Sequence, residues 1–466
     1  MAWTITGNNG RIYSKMLSHI KLPCLTSLLL LVVITASWCA GGDTNAAVKH
    51  SDWETYVLPP ASKAISAGIQ KYRTGEIKLS LKDSLGGPLK KKNAVSIEMI
   101  RHAFLFGCGI IPAPEFYDSA IVRQKIRNAL TSLFNYATLG VFWNLYEGEK
   151  GKPYEIQVRR FALWCRENHI RLKGHPLVWF QGIAPWARQL PQPEFEAAQK
   201  KRVMDMVGGY AGLIDTWDVF NESLVGPKIN NNPLATWINR EGAAQCVRQS
   251  LSWARSANPG AFLLVNDFNT SSDYDKQIAY LIHQGQAPDA IGIQAHFEKR
   301  FPPDTSLWNY LERVKKLNIP IHITETSLPS GELIRESGGW GNEDRKIWKS
   351  TSEGERFQAI EVVRLYRLLF SHPSVEAITW WDLCDPDWEA PTGLLRNKNR
   401  DPKPVYDALM KLIHDEWTTR LTAKTDRQGS ITFRGYFGHY QLTINGITYE
   451  FDLKKGVGTI EIRLMG

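Results

Sequence analysis

The chain has 466 residues, 43% of them hydrophobic and 22% charged, a globular composition with room for one large domain and smaller additions. The formal net charge is +9, but no basic run is longer than the three lysines at 90–92, so a nucleic-acid interface is not expected. The 17 tryptophans suit either a large core or surfaces on which sugar rings stack, and composition does not choose between the two.

The N-terminus has the pattern of an export signal. Basic residues precede an apolar stretch at 25–36, and small residues follow it near position 40. The stretch is too short to span a bilayer comfortably. We therefore expect a signal peptide at 1–40 and a mature protein that is secreted, periplasmic or at the cell surface, without a transmembrane span. Met16 is an alternative start, and Cys39 offers an attachment point for a lipoprotein anchor.

Residues 43–100 predict a small N-terminal unit. A helical stretch at 61–72 precedes two β-like runs at 76–82 and 94–100, and turn residues separate these runs. We expect either a β-hairpin or a sandwich element that leads into the next domain.

Between residues 101 and 415, short apolar β-rich runs alternate with longer helical patterns. The eight runs lie at 102–110, 133–140, 172–179, 214–222, 262–268, 290–297, 321–327 and 377–385. This alternation favours a closed parallel barrel over an open sheet. The predicted fold class is therefore α/β, a (β/α)8 TIM barrel with small β-rich N- and C-terminal modules.

The last segment, 416–466, predicts a small antiparallel β module, because β-like runs are separated there by Gly and Asn-Gly turns. Its aromatic residues Tyr436, Phe437 and Tyr440 offer a surface for carbohydrate. Packing of these rings against the barrel is the interpretation that we favour.

Polar or aromatic residues end most of the predicted barrel strands. They are His175 and Trp179, Asn221 and Glu222, Asp267 and Asn269, Gln294 and His296, Glu325, and Trp381 with Asp385. Each one alone would be an ordinary polar residue at the start of a loop. Barrel enzymes carry their chemistry at the C-terminal ends of strands, so the repetition predicts an active site there.

Two of these residues are glutamates on opposite sides of the ring. Glu222 closes the fourth β unit and Glu325 lies near the end of the seventh. Hydrolysis of a glycosidic bond needs two carboxylates that flank it, and this placement supplies them. No His/Asp/Glu cluster has the spacing of metal ligands, so neither a metal nor a cofactor is expected.

The ordered segments resemble glycoside hydrolase family 10, the xylanase family, in a divergent form. WDVFNE at 217–222 is similar to the family's acid/base motif, and ITE at 323–325 is similar to its nucleophile motif. Five more segments follow the family's order: KGHPLVW at 173–179, VNDFN at 265–269, GIQAHF at 292–297, TWWDL at 379–383 and PKPVYDA at 402–408. The resemblance covers about residues 101–415.

The resemblance implies a retaining endo-1,4-β-xylanase that acts on xylan by double displacement. Glu222 would be the general acid/base and would need a raised pKa, while Glu325 would be the ionised nucleophile. The two carboxyl groups would then lie about 5–5.5 Å apart. His296 would hold Glu325 by a hydrogen bond. Substrate contacts are implied for His175, Trp179, Asn221, Asn269, Gln294, His296, Trp381 and Trp388.

The sequence departs from the family at the second barrel strand. Gly140 and Val141 stand where the family has a Glu-Asn pair, and Asn144 stands near the position of a Lys that binds sugar. Trp143, with Tyr146 and Glu147, could supply replacement contacts to substrate.

Three interpretations stay open because of this departure. The first is a xylanase, and the second is a retaining β-glycosidase for a different polysaccharide, which the altered strand favours. The third is a non-catalytic carbohydrate-binding protein on a barrel scaffold, against which both glutamates argue. We expect a polysaccharide as the partner and a monomer as the state in solution.

Overall fold

The computed structural model of the chain describes residues 62–89, 92–111, 119–336, 345–386, 390–397 and 399–465. The expected signal peptide at 1–40, with Cys39, and the predicted site residue Trp388 lie outside these ranges. A search of the described helices for one with the length and apolar character of a membrane span finds none.

Strands and helices alternate along most of the chain. The strands are β1 Thr74–Lys82, β2 Ala94–His102, β3 Leu105–Ile110, β4 Tyr136–Gly140, β5 Arg171–His175, β6 Thr216–Asn221, β7 Phe262–Asp267, β8 Ala290–His296, β9 Ile321–Ser327, β10 Gly331–Glu336, β11 Arg345–Ser350, β12 Val375–Trp380, β13 Arg420–Lys424, β14 Ser430–Tyr436, β15 Gly438–Ile444, β16 Ile447–Leu453 and β17 Thr459–Arg463. The α-helices are α1 Lys63–Arg73, α2 Ala120–Leu133, α3 Trp143–Tyr146, α4 Glu155–Glu167, α5 Gln192–Gly209, α6 Gly226–Ile229, α7 Pro233–Glu241, α8 Ala243–Ala257, α9 Ser272–His283, α10 Asp304–Val314, α11 Ser352–Ser371 and α12 Pro404–Met410.

The predicted barrel is confirmed. Eight parallel strands close into a ring in the order β12-β3-β4-β5-β6-β7-β8-β9. All residues of β6 and of β9 are buried. This explains why their sequences do not alternate between apolar and polar residues. Each barrel strand overlaps its predicted run. The last strand ends at Trp380 instead of reaching 385, because the chain folds back there and Asp385 N–H bonds to Leu395 O at 2.8 Å.

The segments before and after the barrel form one module. Strand β1 pairs with β14 and β17, and β2 pairs with β13 and β15, which gives the sheets β14-β1-β17 and β13-β2-β15-β16. The inward-facing residues of both sheets share one buried cluster, which includes Ile77, Ile97 and Leu442. A β1–β2 hairpin is therefore wrong, and the sandwich alternative describes the arrangement. Two strands with one apolar face each cannot bury that face alone, and the C-terminal strands cover it.

The aromatic residues of this module serve packing. Tyr440 is fully buried, and its hydroxyl donates to Tyr436 O. The ring of Tyr436 lies 6.3 Å from that of Phe370 on α11, and Trp417 stacks on Phe370 with ring centroids 4.1 Å apart. The contacts of Tyr436 and Trp417 join the sandwich to the barrel, as the favoured interpretation expected for Tyr436, whereas Tyr440 packs within the sandwich against Phe433 and Phe451.

Candidate active site

Glu222 is the first residue after β6 and leaves the strand with a left-handed backbone, at a φ of +59°. Its N–H still bonds to Asn266 O on β7 at 2.9 Å, so the turn is anchored to the barrel. Such a conformation disfavours a side chain and is tolerated where surrounding bonds hold it. The carboxylate accepts from Trp179 Nε1 at 2.8 Å, from Asn221 Nδ2 at 3.0 Å and from Gln294 Nε2 at 3.0 Å.

Glu325 lies within β9 and is only 4% exposed. Its Oε1 accepts from Asn266 Nδ2 at 2.6 Å and from Gln294 Nε2 at 3.1 Å. Its Oε2 lies 3.0 Å from His296 Nε2, and His175 Nε2 lies 3.8 Å from Oε1. The hydrogen bond expected between His296 and Glu325 is therefore present, and this carboxylate has neighbours on three other strands, β5, β7 and β8.

Gln294 brings the two carboxylates together. Its single Nε2 lies 3.0 Å from Glu222 Oε1 and 3.1 Å from Glu325 Oε1. Those two oxygens are therefore no more than roughly 6 Å apart, which is below the separation of about 6.5–9.5 Å in inverting enzymes. The spacing favours direct attack by one carboxylate over activation of an intervening water.

The surroundings push the pKa values of the two glutamates in opposite directions. Burial raises the pKa of Glu222, and the negative charge of Glu325 raises it further, against the bonds from Trp179 and Gln294. Burial also acts to raise the pKa of Glu325, but the charge of His175 and the bond from His296 outweigh it, and the net pKa is lowered. One carboxyl is thus suited to hold a proton and the other to stay ionised.

A buried ion pair between Lys173 and Asp218 lies next to His175 and orients its ring. Asp218 Oδ2 lies 2.5 Å from Lys173 Nζ and 2.8 Å from His175 Nδ1. Burial would raise the pKa of Asp218, but Lys173 and His175 together lower it, so the carboxylate stays charged. It can then accept a hydrogen bond from Nδ1–H and orient the ring so that Nε2 faces Glu325.

Aromatic rings form the other wall of the site. Trp381 packs edge-on against His175 and His296, with centroids 5.2 Å and 5.8 Å apart. Phe142, just after β4, packs edge-on against His175 at 5.8 Å and lies 5.3 Å from Trp179. The phenyl ring of Phe142 therefore lies beside the site. It follows Gly140 and Val141, which stand where the resemblance predicts a Glu-Asn pair.

Three predicted substrate contacts are not part of this cluster as described. Asn269 lies in a turn, where its N–H bonds to Asp267 Oδ1 and its Oδ1 accepts from Ser271 N–H at 2.8 Å. Trp143 is only 4% exposed and donates its indole N–H to Glu147 Oε2 at 3.1 Å, which leaves little surface for a sugar. Trp388 lies outside the described residues.

The other proposed replacements near β4 also have partners within the protein. Tyr146 and Tyr210 share a hydrogen bond between their hydroxyls at 3.0 Å. Glu147 accepts from Gly151 N–H at 2.8 Å in addition to Trp143. Contacts between these two partly exposed side chains and a sugar stay a prediction.

The sequence analysis missed several residues that hold the glutamates. Asn266 bonds to both Asn221 and Glu325, and Lys173 and Asp218 form the ion pair below His175. A signal was present, since each is a polar residue within a run that was predicted to be a buried barrel strand, and a buried polar group needs a partner. Residues at strand ends were predicted to be site residues, whereas residues in strand interiors were not.

Comparison with known proteins places the barrel in a family. The model of glycosyl hydrolase family 10 matches residues 101–412. Anti-sigma-I factor RsgI6 of Acetivibrio thermocellus is 26% identical over 417 residues, which are 84% of this chain and 48% of that protein. Endo-1,4-beta-xylanase B of Thermotoga neapolitana is 25% identical over 314 residues, which are 64% of this chain and 86% of that protein. The chain thus spans about half the length of the first of these relatives.

A solved structure shares the barrel. Xylanase 10B from Thermotoga petrophila, crystallised with xylobiose, aligns with a TM-score of 0.55 at 21% identity, over 67% of this chain and 95% of that one. At this level of identity the likeness shows the fold.

Proposed function

Because the chain belongs to glycosyl hydrolase family 10, we propose that it is a retaining glycoside hydrolase that cleaves β-1,4-linked plant cell-wall polysaccharide, with xylan as the substrate. The observation that carries the proposal is the pair Glu222 and Glu325, joined through Gln294 at the mouth of the barrel. The two oxygens that Gln294 bonds are at most roughly 6 Å apart, and this short spacing supports a retaining pair. We expect an endo-1,4-β-xylanase activity.

The reaction follows from the two carboxylates. Glu325 attacks the anomeric carbon while Glu222 gives its proton to the leaving oxygen, which forms a covalent glycosyl-enzyme. In the second step Glu222 takes a proton from water, and the water oxygen displaces Glu325 with net retention. The raised pKa of Glu222 and the lowered pKa of Glu325 support these roles.

The substrate is argued from the relatives and qualified by the site. Two proteins named above are called xylanases, and one was crystallised with xylobiose. Gly140 and Val141 stand where the family has a Glu-Asn pair, so the hydrogen bonds that such a pair would give to a sugar are missing there. This feature favours, as the second candidate, a polysaccharide other than unsubstituted xylan.

A non-catalytic role is the third candidate. RsgI6 matches 84% of this chain and is named an anti-sigma factor, so a barrel of this kind also occurs in a protein with a regulatory name. A carbohydrate-binding protein has no need of a buried, ionised nucleophile, and the network around Glu325 therefore favours hydrolysis.

The cellular setting remains part of the proposal. The N-terminal pattern supports export, with Cys39 as a candidate anchor. A protein that acts on an insoluble polysaccharide must meet it outside the cell, which is consistent with that pattern. We further propose a monomer that needs no cofactor.

Reducing-end release from a panel of plant and microbial polysaccharides tests the function. The wild type is compared with Glu222→Ala, Glu325→Ala and the exposed control Glu167→Ala. We expect release from xylan by the wild type and the control, and loss by more than about 10³-fold in both site variants. Release from another glycan alone would support the second candidate. Binding without cleavage would support the third.

A further inference from the structure

An open cavity of about 490 Å³ lies on the outer side of the barrel, between helices α4 and α5. Binding sites for small molecules are commonly of this size. The one-turn helix α3 separates the cavity from the active site, since Phe142 before it packs against His175 and Tyr146 at its end lines the cavity. The described lining shares no residue with the cluster around Glu222 and Glu325.

Two tyrosine hydroxyls meet in the wall of this cavity. The hydroxyl oxygens of Tyr146 and Tyr210 lie 3.0 Å apart, and Tyr210 is only 2% exposed. Burial raises the pKa of both hydroxyls, so both stay protonated at neutral pH. One of the two hydrogens lies between the oxygens. The other is available to a ligand, and the oxygens keep lone pairs that accept hydrogen bonds.

The charged groups that line the cavity have partners within the protein. Arg159 Nε donates to Glu155 Oε1 at 2.6 Å, and Asp205 forms an ion pair with Lys201. The buried guanidinium of Arg202 donates to two backbone carbonyls. A charged ligand would have to compete with these contacts for its counter-charge, whereas a neutral ligand would not. The cavity therefore favours a ligand that is polar but uncharged.

Glu147 adds acceptors for hydroxyl groups. Its Oε2 accepts from the indole N–H of Trp143 at 3.1 Å, and its Oε1 accepts from Gly151 N–H at 2.8 Å. A carboxylate has about four acceptor positions, so about two remain for a ligand. The positive charge of Arg202 interacts electrostatically with Glu147. Met204, which is 37% exposed, adds apolar surface to the same cavity. A sugar ring, with hydroxyls at its edge and C–H groups on its faces, matches this combination.

We propose that the cavity between α4 and α5 is a second carbohydrate-binding site, which binds a neutral segment of a β-1,4-linked polysaccharide outside the active site. The hydroxyls of Tyr146 and Tyr210 and the carboxylate of Glu147 bond to sugar hydroxyls, and Met204 contacts the face of a sugar ring. Binding at two places on one polysaccharide keeps the enzyme on an insoluble substrate. That the bound sugar is xylan rests on the proposed function.

NMR of the methionine methyl groups tests the proposal, because Met204 and Met206 both line the cavity. The full chain carries ¹³C-methyl methionine and the substitution Glu325→Ala, so that xylohexaose binds without being cleaved. We expect the signals of Met204 and Met206 to move and to saturate as xylohexaose is added. Met204→Leu and Met206→Leu assign the two signals. Met99, in the core of the sandwich, is the internal control, and its signal should not move.

Matched tyrosine variants separate binding in the cavity from an effect transmitted from the active site. Tyr146→Phe removes one hydroxyl and keeps the ring, so it should weaken the binding reported by Met204 by about two- to tenfold, the value of one hydrogen bond. Tyr280→Phe is the control, since it removes a hydroxyl that bonds to Gln245 Oε1 at 3.2 Å on helix α9. It is expected to leave the affinity unchanged. Equal affinities in the two variants would overturn the proposal.

An oligogalacturonate of six residues tests the preference for a neutral sugar. We expect it to leave the signals of Met204 and Met206 in place, because it is anionic and the cations of the cavity are already paired. The proposal is overturned if xylohexaose moves neither signal, or if only the anionic sugar moves them. A wild type that cleaves no glycan would contradict the proposed function, while saturable movement of both signals would still support the second site.

Discussion

Glu222 and Glu325 are both buried carboxyls, and their neighbours decide which of them holds a proton. Glu222 has neutral donors and a nearby negative charge, while Glu325 faces two histidines. We therefore expect kcat/KM to follow a bell-shaped pH dependence. It falls as pH rises through the raised pKa of Glu222, and it falls as pH drops through the lowered pKa of Glu325.

The coupling between the two carboxyls can be measured directly. Glu325→Gln removes the negative charge that contributes to the raised pKa of Glu222, so the pKa of Glu222 should fall. A ¹³C NMR titration of the labelled carboxyl measures it, with Glu167→Gln, which changes an exposed residue at the end of α4, as the control. An unchanged pKa of Glu222 in Glu325→Gln would show that the two groups are too far apart to interact.

The ion pair below His175 makes a second prediction at this scale. Lys173→Met removes the cation beside the buried Asp218 and leaves His175 as its printed partner, which is expected to cost up to about 3–5 kcal/mol of the free energy of unfolding. The double variant Lys173→Met, Asp218→Leu removes both charges and should recover part of that loss. Urea unfolding at pH 7 checks the order, and a double variant less stable than Lys173→Met would contradict it.

At the scale of elements, the sequence predicted the barrel strands because both of their faces are buried. The runs therefore stood out as apolar segments between amphipathic helices. Where the strands end could not be predicted as well, since the end of β12 is set by bonds between Asp385 and the distant Leu395. The burial of Trp143 could not be predicted for a similar reason. An aromatic residue after a strand looks the same in sequence whether it faces a cleft or packs under it.

Close packing between neighbouring strands gives a prediction for β5. Gly174 pairs with Trp217 of β6, and a Cβ on Gly174 would lie 2.1 Å from the indole ring. Gly174→Ala is expected to destabilise the protein by at least about 1–3 kcal/mol, because the fully buried ring must move. Gly209→Ala at the end of α5 meets no atom within 4 Å and should be neutral or slightly stabilising. Equal stability of the two variants would contradict the packing described.

At the scale of the whole molecule, the described segments before and after the barrel meet in one sandwich that is joined to the barrel. Sequence reasoning found the individual strands but treated the ends as two modules. Pairing between β1 and β14 brings together residues more than three hundred positions apart, as in Thr74 with Tyr436. Local patterns carry no information about such a register, whereas each strand's alternation is visible locally.

The contact between the sandwich and the barrel at Trp417 and Phe370 lets us predict how the protein unfolds. Trp417 is buried and stacks on Phe370, so Trp417→Ala should cost about 3–5 kcal/mol. Calorimetry of the wild type is expected to show one transition, and that of Trp417→Ala an earlier one for the sandwich. The exposed control Leu85→Ala should leave the profile unchanged. Two separate transitions in the wild type would mean that the sandwich unfolds independently.

Trapping of the covalent intermediate tests the central claim, that Glu325 attacks the sugar. The substrate is a 2-deoxy-2-fluoro-β-xylobioside with a dinitrophenolate leaving group. The fluorine slows both steps, but the good leaving group keeps the first step fast. The covalent intermediate therefore accumulates. After digestion, mass spectrometry is expected to find the sugar on the peptide that contains Glu325, and no label in Glu325→Ala. Label on another residue, or turnover to a product of inverted configuration without any adduct, would contradict the assignment.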